Sequence, residues 1–222
     1  MVILKSQQFN DQELLDYARS LSSVSGSVEQ QLLHWSFGPI MTMKHDLSSQ
    51  NYLFSNENVP FHWDGAFFKE PRWLLFYCTE SEGSGGETLF VNTEKIWNSL
   101  TDEEKNSSQH IELEYETEKV AHYGGKIRVP LVQAHPATGA TILRMAERVI
   151  SELNPVSLKI HGSQQPEKFY ESFVQKLYDP EFVYEHRWEQ GDLLVVDNFT
   201  YLHGRRHLGT NEKRSFKRIQ IL

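Results

Sequence analysis

Short strand-like runs separated by turn signals make up most of this sequence, and this alternation constrains the fold more than any other feature. Runs of roughly four to eight residues that are β-branched, aromatic or alternately apolar predict strands. Such runs are Arg72–Thr79, Ile111–Tyr115, Asp192–Asp197 and Ser215–Leu222. The turn signals are Gly83–Gly86, Gly124-Gly125, Asn154-Pro155 and Asp179-Pro180. Many short strands with few helices favour a closed barrel or a two-sheet sandwich, and the pattern alone does not choose between them.

Three segments have the apolar spacing of amphipathic helices. The first begins at Asn10, a residue type that caps helices, and runs to Leu21 with Leu14 and Ala18 on one stripe. The other two predicted helices are Thr93–Leu100 and Pro166–Tyr178. No repeat or long linker divides the 222 residues, and all-β chains of roughly 200–250 residues commonly fold as one domain. We therefore expect residues 1–222 to form one domain, mainly β with flanking helices.

The charge balance argues against a polyanionic partner. The chain has 22 Lys and Arg against 30 Asp and Glu, a formal net charge of −8. Nucleic acids and anionic membranes are bound by clustered Lys and Arg, which this balance does not favour. We expect a small-molecule partner, no nucleic acid and no membrane, and nothing in the sequence indicates an oligomeric state.

The single cysteine, Cys78, lies in the first apolar run. One cysteine excludes an intramolecular disulfide and a cysteine-based zinc site, which fits a reducing compartment. The N-terminus reaches Lys5 too soon for the apolar centre of a signal peptide, and no apolar stretch approaches the ~20 residues that span a bilayer. The expected location is the cytoplasm, and the expected state of Cys78 is a buried, inert thiol.

The stretch from Asn58 to Phe67 contains a His-x-Asp pair, His62 and Asp64. On a strand, residues i and i+2 face the same side at ~6.6 Å along the axis, so both side chains could reach one cation. A second stretch begins with the apolar run Asp192–Asp197 and is expected to continue into a loop that carries His203.

One site could then collect two imidazoles and one carboxylate. Such a set leaves three positions of an octahedral metal open, as iron(II) oxygenases require. A closed four-ligand zinc site would leave none.

The last predicted strand carries two arginines in the same alternation. Arg214, Phe216, Arg218 and Gln220 alternate with their neighbours, so both guanidinium groups should lie on one face, ~13 Å apart along the strand. A guanidinium fork is well suited to hold a carboxylate in a fixed pose, which suits a dicarboxylate co-substrate. The alternative is two surface arginines on an edge strand.

Several motifs together resemble the taurine dioxygenase (TauD/TfdA) and clavaminate synthase-like family. They are Phe61-His62-Trp63-Asp64, Gly85-Gly86-Glu87-Thr88, Pro130–Pro136 with Gly139, and Asp197-Asn198 followed by His203-Gly204-Arg205, Arg214 and Arg218. The motifs follow the family order and spacing from about Pro60 to the C-terminus, and residues 1 to about 57 match weakly. The resemblance implies a double-stranded β-helix, a cupin-like jelly-roll barrel whose open mouth holds the metal.

The resemblance also implies roles for single residues. His62, Asp64 and His203 would bind iron(II), and Arg214 with Thr88 would bind 2-oxoglutarate. The residues implied near the substrate are Asn58, Trp63, Phe67 and Arg218, although the family also allows Arg218 to act near the co-substrate. O2 is the second co-substrate that this chemistry implies.

The expected function is an iron(II)- and 2-oxoglutarate-dependent dioxygenase that hydroxylates or desaturates a small substrate, releasing succinate and CO2. The phrases Pro60–Phe67 and Gly86–Phe90 resemble the branch that acts on amino-acid-derived isonitriles, so an amino acid or its derivative is the first expectation. Halogenating relatives lack the carboxylate that is present here as Asp64, which disfavours halogenation. The alternatives are a dioxygenase for sulfonates or other carboxylates, and a non-catalytic jelly-roll binding module that retains the metal residues.

Overall fold

The computed structural model describes residues 1–22, 31–44, 54–82, 85–118, 124–209 and 213–222. Within these residues the helices are α1 (Asp11–Leu21), α2 (Thr93–Ser99), α3 (Asp102–Ser108) and α4 (Pro166–Leu177). The strands are β1 (Val2–Leu4), β2 (Ile40–Lys44), β3 (Val59–His62), β4 (Trp73–Glu82), β5 (Thr88–Asn92), β6 (Glu112–Thr117), β7 (Gly125–Pro130), β8 (Val132–Ala134), β9 (Thr141–Leu143), β10 (Ser157–His161), β11 (Val183–His186), β12 (Leu193–Asp197), β13 (Tyr201–Arg205) and β14 (Lys213–Ile221).

Two antiparallel sheets face each other across the interior. One has the strand order β1-β12-β4-β14-β2, and the other has the order β11-β5-β13-β3. Phe76 on β4 and Phe216 on β14 share a buried cluster with Phe90 on β5, and the ring centroids of Phe76 and Phe90 are 6.4 Å apart. The predicted mainly β jelly-roll barrel with flanking helices is therefore confirmed.

The outer faces of both sheets are covered as well. Leu14 and Ala18 of α1 pack against Leu75 and Leu193 on the five-stranded sheet. The four-stranded sheet is covered by α2, α4 and the small sheet β10-β6-β7. Burial on both faces explains why β4 reads as a continuous apolar run, since odd and even positions both enter a core.

The three predicted helices are present, each within one residue of its expected ends. Asn10 caps α1, because its side chain accepts the Glu13 N–H at 3.0 Å and the Glu13 carboxylate accepts the Asn10 N–H at 2.8 Å. The polar helix α3 was not predicted, although Thr101 and Glu104 form the same reciprocal cap. Of the predicted Gly83–Gly86 turn, residues 83 and 84 lie outside the described residues. None of the helices in the described part of the chain is long and apolar enough to cross a membrane.

Cys78 is completely buried on β4, and burial raises the pKa of its thiol to about 12. At pH 8 the thiol is therefore almost entirely protonated, and the thiolate is the reactive form. We therefore expect iodoacetamide at pH 8 to leave the native protein unlabelled and to label it after guanidinium denaturation. Intact-mass spectrometry measures both states, and rapid labelling of the native protein would contradict this account.

Candidate active site

Two histidines meet where β3 lies beside β13. The antiparallel register places His62 opposite His203, and the two ring centroids are 4.2 Å apart. The sequence interpretation put His203 on a loop after an apolar strand, which is wrong. The apolar strand β12 ends at Asp197, and His203 lies inside the next strand, β13.

Asp64 completes the cluster from a turn. The expectation that His62 and Asp64 share one strand is also wrong, because β3 ends at His62. The chain reverses at Gly65, whose φ is +84° and where a Cβ atom would lie 2.2 Å from the Lys69 carbonyl oxygen. The turn nevertheless brings Asp64 Oδ1 to 3.8 Å from His62 Nε2 and 3.7 Å from His203 Nε2.

The three side chains offer one ligand atom each, all within 4.8 Å of one another. The Nδ1 atom of His62 is 2.9 Å from the Pro60 carbonyl oxygen, which assigns the proton to Nδ1 and leaves Nε2 as an acceptor. Burial, and then the neighbouring His62, hold the pKa of His203 well below its usual value. Both imidazoles are thus suited to bind a metal in the neutral form, and two imidazoles with one carboxylate form a donor set that fits iron(II).

The second oxygen of Asp64 is turned away from the histidines. Its Oδ2 atom forms an ion pair with Arg218 and accepts a hydrogen bond from Gln220 Nε2 at 2.7 Å. Gln220 was assigned no role from the sequence, although the alternation along the last strand had already placed it on the arginine face. These two contacts leave Oδ1 as the oxygen that faces the imidazoles.

Asn198 holds the backbone of Asp64 and is itself fully buried. Its side chain accepts the Asp64 N–H at 2.9 Å and donates to the Asp64 and Pro71 carbonyl oxygens at 3.1 and 2.9 Å. The sequence interpretation placed Asn198 in a family motif but gave it no role. The signal available was an amide side chain at the end of an apolar strand, which alone does not name its distant partner.

Replacing Asn198 with Ala should both destabilise the protein and weaken metal binding. Unsatisfied buried polar groups cost about 1–3 kcal/mol each, so we expect a loss of roughly 3 kcal/mol in the free energy of unfolding. Residues that orient metal ligands typically contribute 10- to 100-fold in affinity, and we expect a similar loss for iron(II). Urea unfolding and metal titration measure the two effects. The control is Asn106→Ala on an exposed position of α3, and unchanged metal affinity in Asn198→Ala would contradict the bracing role.

A second polar group lies along β5. Thr88 Oγ1 accepts hydrogen bonds from Arg214 Nη2 at 2.9 Å and from Trp188 Nε1 at 2.8 Å. A hydroxyl that accepts twice still has its own proton to donate. Gly86 makes room for this arrangement, since a Cβ there would lie 2.9 Å from Arg214 Nη1. Arg214 and Thr88, predicted to act together, are thus in direct contact.

A cavity of about 410 Å³ opens beside the cluster. Trp63, Phe67 and Arg218, three of the residues predicted to be near the substrate, lie on its wall, whereas Asn58 does not. Trp63 is buried and donates from Nε1 to Glu70 at 2.7 Å. Most other wall residues are apolar or aromatic, among them Trp35, Phe37, Phe68 and Tyr115.

The comparison with known protein families agrees with this arrangement. Residues 1–220 match the family model of taurine catabolism dioxygenase, TauD, TfdA family. The chain belongs to the TauD/TfdA family. The match begins at residue 1, so it also covers the N-terminal part in which the sequence motifs were weak. This TauD/TfdA member is an iron(II)- and 2-oxoglutarate-dependent dioxygenase, as predicted.

The relatives of this TauD/TfdA chain include enzymes named for isonitrile chemistry. It is 40% identical over 200 residues to a 3-((Z)-2-isocyanoethenyl)-1H-indole synthase of Fischerella ambigua, covering 86% of this chain and 73% of the relative. It is 29% identical to a tyrosine isonitrile desaturase of Pseudomonas aeruginosa, covering 86% and 68%. The solved structure of PvcB from Pseudomonas aeruginosa has the same fold, with a TM-score of 0.78 at 24% identity over 99% of this chain and 74% of that one.

Proposed function

We propose that this dioxygenase desaturates an isonitrile derived from an aromatic amino acid. The observation that carries the proposal is the aromatic cavity beside the His62, Asp64 and His203 cluster. Relatives named for an indole isonitrile and a tyrosine isonitrile support the substrate class. The ethenyl group in the first name contains the double bond that desaturation would create. The balanced reaction removes two hydrogens from the substrate while 2-oxoglutarate and O2 become succinate, CO2 and water.

His62 and His203, through their Nε2 atoms, and Asp64, through Oδ1, are the proposed iron ligands. When bound, iron(II) with 2-oxoglutarate and O2 supplies the oxidant for C–H cleavage. Asn198 holds the Asp64 backbone, and Gln220 and Arg218 hold its second oxygen. The protein thereby presents two imidazoles from β3 and β13 and one carboxylate oxygen from the turn that follows β3.

Arg214 and Thr88 are the proposed partners of the distal carboxylate of 2-oxoglutarate. In the pairing of β13 with β5, Arg205 lies opposite Thr88 and His203 lies opposite Phe90. Thr88 and Phe90 are two residues apart, which is ~7 Å along a strand. A five-carbon dicarboxylate could therefore extend from the histidines toward Arg214, where the guanidinium and the free hydroxyl proton of Thr88 both donate.

The substrate is proposed to lie in the cavity, with its ring among Trp63, Phe67 and the other aromatic wall residues. Arg218 lies on the wall of this cavity and is a second proposed contact for a substrate carboxylate, in addition to its ion pair with Asp64. Asn58 is kept as a proposed substrate contact because of its place in the family motif. We further propose that residues 1–222 act as one oxygenase domain, and that the buried free cysteine suits the cytoplasm.

The test is a substrate panel. Isonitriles made from tryptophan, tyrosine and phenylalanine, and the parent amino acids, are incubated with iron(II), ascorbate and 2-oxoglutarate in the presence of chloride. We expect succinate release with an isonitrile and a product whose mass shows the loss of two hydrogens, with or without loss of the carboxyl group. A product with one added oxygen would replace desaturation by hydroxylation, and a chlorinated main product would contradict the ligand role of Asp64.

A further inference from the structure

Glu147 is a fixed carboxylate on the wall of the substrate cavity. Its backbone N–H donates to the Phe61 carbonyl oxygen at 2.8 Å, and the Phe61 N–H donates to Glu147 Oε1 at 2.8 Å. The Tyr178 hydroxyl donates to the same oxygen at 2.8 Å. Glu147 is therefore anchored beside β3, one residue from the proposed ligand His62.

The two carboxylate oxygens of Glu147 have different surroundings. Oε1 already accepts two protein hydrogen bonds, whereas Oε2 accepts none from the residues that the structure describes. Oε2 is also not among the fully buried polar atoms that lack a partner, so it borders open space.

No cation among the described residues forms an ion pair with the Glu147 carboxylate. Lys69 is on the same wall but forms no ion pair with Glu147 within the described residues, and Arg218 is engaged by Asp64. Burial raises the pKa of Glu147, partly opposed by the Phe61 N–H and the Tyr178 hydroxyl. Placing a carboxylate in a largely apolar wall costs desolvation free energy, and a polar group kept there despite this cost is typical of one that binds a ligand.

We propose that Glu147, a residue of the cavity wall, turns Oε2 toward the cavity and accepts there a hydrogen bond from the ring N–H or O–H of the substrate. Glu147 then selects an indole or a phenol over a phenyl ring, while the aromatic wall residues accept all three. This inference rests on the proposed function for the isonitrile group, but it concerns the other end of the substrate. An indole N–H and a tyrosine O–H are both donors, and they are the ring groups that the names of the two relatives contain.

The variant Glu147→Gln converts the acceptor into a donor. Its amide oxygen is expected to take over the hydrogen bonds from Phe61 and Tyr178, so the NH2 group would occupy the place of Oε2. Affinity for the tryptophan- and tyrosine-derived isonitriles should fall by roughly 10- to 100-fold, the loss expected for a hydrogen bond to a charged group. Affinity for the phenylalanine-derived isonitrile should change little. The matched control is Glu116→Gln on β6, whose side chain is half exposed and is not part of the cavity wall.

Binding is measured by anaerobic calorimetry on the enzyme loaded with iron(II) and 2-oxoglutarate, where no turnover occurs. Two ligand pairs contrast a ring that has a donor with one that lacks it: the isonitriles of tryptophan and 1-methyltryptophan, in which a methyl group replaces the N–H hydrogen, and those of tyrosine and phenylalanine. Wild type should bind the donor-bearing member of each pair at least about 10-fold more tightly, and Glu147→Gln should remove this preference. Circular dichroism checks that the variant is folded. The comparison within each ligand pair on the wild-type enzyme tests the inference even if the variant does not fold.

The outcomes separate this inference from the proposed function. Equal affinity within each pair for wild type, or an equal loss for all ligands in Glu147→Gln, would overturn the role of Glu147 whatever the enzyme oxidises. The same two comparisons are made with the free amino acids, tryptophan against 1-methyltryptophan and tyrosine against phenylalanine. A Glu147-dependent preference there, with no binding of any isonitrile, would support Glu147 as the ring-recognition group and reject isonitriles as substrates.

Discussion

His203→Ala is expected to abolish succinate release from 2-oxoglutarate and to lower iron(II) affinity by more than about 100-fold. Loss of a residue that only orients a metal ligand lowers metal affinity by up to about 100-fold. His203→Ala should have a larger effect, because it removes one of the three ligand atoms that lie within 4.8 Å of one another. The remaining pair, His62 and Asp64, would hold the metal from two positions that only Trp63 separates. Anaerobic titration with iron(II), together with a coupled assay for succinate, measures both effects.

The control for this variant is His207→Ala, which removes an exposed imidazole four residues further along. It should leave metal affinity and turnover unchanged. His203 is buried against Phe76 and Phe90, so circular dichroism must first show that His203→Ala keeps its fold. Wild-type iron stoichiometry and activity in a folded His203→Ala protein would show that the ligand set is wrong.

The identity of the cluster could be predicted from the sequence more readily than its local geometry. Residue types and motif order singled out His62, Asp64 and His203, because two imidazoles and one carboxylate are a recognisable donor set. The strand argument for His62 and Asp64 failed because β3 stops at His62. The turn that replaces it depends on the approach of the Lys69 carbonyl to Gly65, and no alternation pattern encodes that contact.

The contacts that orient the site join distant parts of the chain. Asn198 reaches the backbone of Asp64 across 134 positions, and Gln220 reaches its carboxylate across 156. Such pairs are set by the register of β13 on β3 and of β14 on β4. A single sequence gives the face on which Gln220 lies but not the partner across the barrel.

The two inward-facing arginines of β14 contact different parts of the barrel interior. The inward residues of β14 alternate as expected, with Arg214 over the Phe216 ring at 4.3 Å and Arg218 over the Phe76 ring at 5.5 Å. Arg214 contacts Thr88 on the facing sheet, whereas Arg218 contacts Asp64. The two arginines therefore act on different partners although they lie on one face, and their variants should have different effects.

Arg214→Ala is expected to raise the 2-oxoglutarate concentration needed for half-maximal turnover by roughly 30-fold or more. Truncating one member of a partly buried charge pair costs about 2–5 kcal/mol, and 2 kcal/mol already corresponds to about 30-fold. Iron(II) affinity without the co-substrate should stay close to the wild-type value, because Arg214 donates to Thr88 on β5, whereas the proposed ligands lie on β3, on β13 and on the turn after β3. Arg214→Lys should be intermediate, since lysine restores the charge but not the planar fork.

The control is Arg206→Ala, which removes an exposed guanidinium that pairs with Glu185. Steady-state kinetics with varied 2-oxoglutarate, and calorimetry of co-substrate binding, separate a binding defect from a loss of the metal. Loss of iron affinity in Arg214→Ala would mean that the residue supports the fold of the site and does not bind the co-substrate. An unchanged 2-oxoglutarate requirement would transfer the role to Arg218. Replacing Arg218 must also disturb Asp64, because removal of the arginine leaves the buried Asp64 carboxylate without its ion-pair partner.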